Sequence, residues 1–212
     1  MKNRYALSAF LLAFPALAQE SYEAALTYDR VQSRSQTLSP VTFAPAAQSA
    51  LGVALAWYPW QAGTGQVGLS LSHRLKGKAD LRISDSVSSS ADGQATVKYT
   101  AVGVRWQWRQ PIDLGVGLQA RFESLGYEAK DGQGSPWTAT WTRPWLEAMA
   151  GYTFQGGAVK PFVALSVALP LVSESAPTSP AASDAQAEAN QKQMVKATGP
   201  KFELALRVGL RF

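Results

Sequence analysis

The stretch Phe202-Glu203-Leu204-Ala205-Leu206-Arg207-Val208-Gly209-Leu210-Arg211-Phe212 sets large apolar side chains at every second position and charged or small ones between them. Side chains of a strand alternate between its two faces, so Phe202, Leu204, Leu206, Val208, Leu210 and Phe212 share one face while Glu203, Arg207 and Arg211 share the other. An apolar face opposite a charged one has two physical solutions. In a soluble sandwich the apolar face packs on a second sheet; in a membrane barrel it meets lipid and the charged face lines the lumen.

The amino terminus begins the choice. Lys2 and Arg4 precede the apolar run Ala6 to Ala13, and Ala16-Leu17-Ala18 supplies the small residues of a cleavage site before Gln19. Residues 1–18 therefore read as a cleaved signal peptide and residues 19–212 as a single exported domain. Losing Lys2 and Arg4 leaves 18 basic against 15 acidic residues, too small an excess for a nucleic-acid partner. The chain has no cysteine, which excludes disulfides and thiolate metal sites. No later segment offers the ~20 apolar residues of a membrane helix, and mean hydropathy is −0.10. An integral protein of this composition must be a barrel.

Alternating segments recur near Tyr22 to Ser35, Ala50 to Trp60, Gln66 to Ile83, Thr96 to Arg109, Asp113 to Tyr127, Ala139 to Gln155, Ala158 to Val172 and Lys201 to Phe212. Each is long enough to cross a membrane as a tilted strand of roughly 9–11 residues. Short turns at Gln61 to Gly65, Gln110 to Asp113 and Gln155 to Ala158 alternate with long connections at Gln36 to Ser49, Ser84 to Ala95, Glu128 to Thr138 and Ser173 to Pro200. The pattern predicts an all-β, eight-stranded antiparallel up-and-down transmembrane barrel with short periplasmic turns and long extracellular loops. A short helix is predicted within the last loop, from Asp184 to Met194. Aromatics gather where even-numbered strands end: Trp57, Tyr58 and Trp60, then Trp106 and Trp108, then Tyr152 and Phe154, then Phe212. They are expected to form the periplasmic aromatic girdle.

The opposite strand faces collect Asp29, Arg74, Arg105, Arg109, Arg121, Glu123, Glu147, Glu203, Arg207 and Arg211. Arg74, Arg121, Glu123, Glu147 and Glu203 lie at similar depths, and together with Arg105 and Arg207 are expected to form an ion-pair layer. Eight strands enclose an interior just wide enough for side chains, so such a layer would plug the barrel.

Catalysis finds little support. The only histidine, His73, shares its face with Leu71 and Leu75, whereas Ser72 points the other way, so no dyad forms within its strand. No enzymatic activity, cofactor or metal is expected. Lys76, Lys78, Arg82 and Lys98 form a basic rim at the outer ends of the third and fourth strands and are candidate contacts for lipopolysaccharide phosphates.

With these residues in view, residues 19–212 resemble the small outer-membrane barrels of the OmpA-domain and OmpX-like type. The resemblance implies a monomer in the outer membrane of a diderm bacterium, and assigns Leu206, Val208, Leu210 and Phe212 to a signal read by the barrel assembly machinery. That signal usually carries Gly five residues before its terminal aromatic, where this chain has Arg207. The expected role is structural, surface-interacting or envelope-protecting. A narrow pore, a lipid A deacylase-like enzyme and a soluble lipocalin-like binder are the alternatives.

Overall fold

The computed structural model describes residues 22–33, 36–38, 41–85, 91–110, 112–129, 137–172 and 199–212. The predicted signal peptide and the Asp184–Met194 helix lie outside these residues. Every described element is a strand: β1 (Tyr22–Gln32), β2 (Gln36–Leu38), β3 (Val41–Pro45), β4 (Gln48–Ala62), β5 (Gly65–Asp85), β6 (Ala91–Gln110), β7 (Ile112–Ala129), β8 (Trp137–Thr153), β9 (Lys160–Pro170) and β10 (Phe202–Arg211).

Eight of them close a ring in the order β1-β4-β5-β6-β7-β8-β9-β10, each antiparallel to both neighbours, with β10 returning to β1. Closure leaves no strand edge within the ring, the condition for placing backbone amides in hydrocarbon. Following cross-strand partners from Tyr22 through Trp57, Leu69, Val104, Leu118, Leu146 and Leu169, with Phe202 the next rung, the path re-enters β1 at Gln32, ten residues from its start. The stagger must be even, because an odd one would turn every inward side chain outward at the seam. Every residue on that path faces out.

The outside is apolar. Leu26, Leu51, Val53, Leu55, Leu69, Leu71, Val102, Val104, Leu118, Leu165, Leu204, Leu206, Val208 and Leu210 are all exposed, where a soluble protein would hide them. On β10 the band runs from Phe202 to Phe212, and ten residues on a strand tilted by about 40° span roughly 25 Å, the height of the apolar belt of a membrane barrel. No soluble packing partner is needed: this is the surface of a transmembrane barrel.

The short connections lie where the sequence places them. Gly63 and Gly157, at φ 62° and 66°, supply the left-handed residues that two of these tight turns require. The long connections differ from expectation. Gln36–Ser49 is not a loop throughout but contains the β2–β3 hairpin, and β3 pairs with β5 from Val41↔Asp85 to Pro45↔Leu81. Likewise β5 runs to Asp85 and β6 begins at Ala91, so most of Ser84–Ala95 is strand. The sequence signal ends where the apolar band ends, but backbone pairing continues beyond it because a ladder in water needs no apolar outer face. Inside this extension Leu81, Val97, Leu125, Ala139 and Trp141 form a small buried cluster.

Candidate functional site

Among the described residues, seven arginines and six carboxylates point into the lumen: Arg74, Arg105, Arg109, Arg121, Arg143, Arg207 and Arg211, with Glu23, Asp29, Asp113, Glu123, Glu147 and Glu203. Alternation puts them there, since successive side chains of a strand point to opposite faces of the sheet. Instead of one layer they form a column of four carboxylate centres.

At the short-turn end, Glu23 of β1 accepts from Arg211 Nε at 2.7 Å, Arg109 Nη2 at 3.2 Å and the Tyr58 hydroxyl at 3.2 Å. Arg211 also reaches Asp113 and Thr153, and its guanidinium lies 4.5 Å over the Phe162 ring. Above this, Glu147 of β8 accepts from Arg105 Nη2 at 2.9 Å, from Gln119 Nε2 at 2.7 Å and from Arg207. Arg105 also donates to the Tyr58 hydroxyl at 3.3 Å, linking the first centre to the second.

The third centre spans the barrel. Arg121 of β7 holds Glu203 of β10 through two bonds of 2.9 and 3.0 Å, and the Tyr99 hydroxyl donates to the same carboxylate at 2.9 Å from β6, four strands away around the ring. The Arg121 guanidinium is sandwiched between Tyr99 and Trp145, 4.3 and 4.1 Å from their ring centroids. A paired, planar guanidinium between two rings is held by charge, hydrogen bonds and quadrupole together. The fourth centre is Glu123, which accepts from Arg143 Nε at 2.5 Å and Trp141 Nε1 at 2.5 Å, while Arg143 Nη2 donates to the Pro200 carbonyl at 2.6 Å.

Arg74 stands apart from the expected layer. Its guanidinium donates to the backbone carbonyls of Val97 and Gln48, at 2.5 and 3.1 Å. Alternation turns it inward, and the register shift that follows it brings Gly77 over its guanidinium, where an added Cβ would come within 2.7 Å of Arg74 Nη2. Asp29 accepts from Thr27 Oγ1 at 3.1 Å.

Tyr58 is misplaced by the sequence reading. It belongs to the lumen, not the girdle: only 2% exposed, it is the hub between Glu23 and Arg105. Trp57 and Trp60 both face outward although three residues apart, because a bulge between them adds the residue that resets the alternation. Trp57 stacks on Tyr22 with centroids 6.3 Å apart, and Tyr152 meets Phe154 edge-on at 5.2 Å. Trp106 is also exposed, Trp108 and Phe212 half-buried, all at the short-turn end. Leu206, Val208 and Leu210 lie outward on β10 between β9 and β1.

Glu23, Asp113 and Arg143 are absent from the sequence-based set, yet each closes a centre of the column. His73 faces outward, and its Nδ1 lies 2.9 Å from the Oγ1 of Thr100, directly across on β6. Lys76, Lys78, Arg82 and Lys98 are exposed on the outer faces of β5 and β6, beyond the end of the apolar band.

No protein-family model matches the chain, and no curated protein does. Among solved structures it is similar to the neisserial surface protein NspA, at 10% identity over 90% of this chain and 94% of that one, with a TM-score of 0.42. OprG of Pseudomonas aeruginosa aligns at 8% identity over 91% and 93%, TM-score 0.48, and Ail of Yersinia pestis at 11% over 90% and 95%, TM-score 0.41. This chain is a small membrane barrel. Its own closed pairing, apolar outside and charged inside make it one.

Proposed function

We propose that this chain is an outer-membrane barrel that does not conduct, serving structure, surface interaction or envelope integrity as a monomer, with the ion-pair column as its plug. The observation that carries this is the third centre: Arg121, Glu203, Tyr99 and Trp145 converge from β6, β7, β8 and β10 across the lumen. Breaking such a centre by removing one partner leaves a buried, unpaired charge, so opening a path through it costs several kcal/mol. An exported chain with this outside has the outer membrane as its destination and the barrel assembly machinery as its route there. Its standing partners are the surrounding lipids, with Lys76, Lys78, Arg82 and Lys98 placed toward lipopolysaccharide phosphates.

Single-channel recording in planar bilayers tests the plug. The expected trace is flat for the wild type, and stepped when Arg121→Ala and Glu203→Ala are combined. Steady ohmic steps from the wild type would establish the narrow pore instead. Lipid A of expressing cells should keep all its acyl chains; chain loss abolished by His73→Ala would establish a deacylase.

A further inference from the structure

On the outer surface, the half of β1, β4, β5 and β6 nearer the short turns carries a groove of about 790 Å³, walled by Leu55, Trp57, Leu69, Leu71, Val102 and Val104. A convex barrel has no need of a concavity there, and a volume of this size falls within the range of ligand sites, roughly 300–1,000 Å³. What lies directly above it gives the groove a direction. Two residues up from Leu71 on β5 is His73; two residues up from Val102 on β6 is Thr100; and these two side chains are joined by the 2.9 Å contact.

One step further up are two exposed cations. Lys98 follows Thr100 on the outward face of β6. Lys76 comes out on β5 through the register shift between Arg74 and Gly77, which exposes Leu75 and Lys76 together while Arg74 goes in. Apolar trough, imidazole–hydroxyl pair and lysines therefore follow one another along the same two strands. From Lys98 to Val104 is six residues, about 20 Å of strand, the reach of a long acyl chain.

We infer that this track is a specific seat for one phosphate-bearing lipid of the outer leaflet, its phosphate held by Lys76, Lys98 and the His73–Thr100 pair and the end of one of its chains laid into the upper part of the groove, against Leu71, Val102 and Val104. The inference rests on the membrane placement proposed above and deepens the contact assigned there to the basic rim. The chemistry is selective at both ends. A zwitterionic headgroup cancels the attraction to the lysines, and a phosphate without a chain gains nothing from the groove.

The test is native mass spectrometry of the detergent-purified full chain with added lipid A, phosphatidylcholine or inorganic phosphate. Lipid A is expected to remain bound at one per barrel under activation that strips phosphatidylcholine, and inorganic phosphate is expected to give no adduct. Lys76→Gln combined with Lys98→Gln should weaken lipid A retention roughly tenfold or more, and Leu71→Trp, which fills the trough, should weaken it with both lysines in place. Lys160→Gln, a cation at the short-turn end of β9 and away from the track, is the control that should change nothing, and unshifted heat-modifiable mobility shows that each variant is folded. Equal retention of lipid A and phosphatidylcholine, or variants that all bind like wild type, would overturn the seat. A barrel that conducts but retains lipid A would overturn the plug alone.

Discussion

Arg211, one residue from the end of the chain, lies 2.7 Å from Glu23, near the start of the barrel, and the two residues are direct cross-strand partners at the seam between β10 and β1. Closing a barrel requires the first and last strands to find each other across nearly the whole sequence. The seam of this one is marked by a buried ion pair, with Arg109 and Tyr58 completing the shell of Glu23.

Arg211→Gln removes the cation shared by Glu23 and Asp113. It is expected to lower stability by about 3 kcal/mol in urea titrations in detergent micelles. Adding Glu23→Gln should restore part of the loss, since no unpaired charge then remains on that side. A fully additive double variant would show that the seam pair is not coupled.

Tyr58→Phe keeps the ring and removes only the hydroxyl that joins Glu23 to Arg105. Two buried charged groups each lose a partner, for an expected cost of about 1–3 kcal/mol. A girdle tyrosine in the headgroup layer would lose almost nothing. An unfolding midpoint unchanged from wild type would therefore return Tyr58 to the girdle.

Gly209 pairs with Ala25 at the same seam, and a Cβ there would lie 2.2 Å from the Ala24 carbonyl oxygen and 2.8 Å from Ala25 Cα. These are backbone atoms that cannot swing aside. Gly209→Ala is expected to reduce the heat-modifiable, closed fraction after refolding by more than half. Gly115→Ala, whose Cβ meets the flexible end of Met149 at 3.2 Å, should fold like wild type. Equal yields from the two variants would contradict the close approach at the seam.

The ring of eight strands was legible in the sequence because lipid imposes a strict rule on one face of each strand. Where Leu114, Val116 and Leu118 alternate with glycines and Gln119, inside and outside follow from parity alone. Parity fails in particular places for physical reasons. Trp57 and Trp60 share a face only through a bulge, so Tyr58 between them reads as one of a cluster of surface aromatics. Glu23 hides in β1, where outward Ala24 and inward Ala25 are the same size. Arg143 sits between Thr142 and Pro144, which give no apolar stripe to set it against. Depth was harder still: Arg74, Arg121, Glu123, Glu147 and Glu203 look level when counted along their strands, but the ten-residue stagger spreads them into a column and leaves Arg74 among carbonyls. The β2–β3 hairpin lies in a stretch with Pro40 and Pro45 and no periodicity, outside lipid's control.

The measurement that tests the account most directly is oxygen accessibility by nitroxide scanning across the β9–β10 ladder in reconstituted bilayers, which the cysteine-free chain permits without background. Labels at Leu165, Val167, Leu204 and Leu206 should collide freely with dissolved oxygen in the acyl region. Those at Ala164, Ala168 and Ala205, each 2% exposed, should be shielded and immobile. The same period of two with the opposite phase, or uniform accessibility to a water-soluble relaxant at all seven positions, would contradict a barrel that turns its apolar face to lipid and its charges inward.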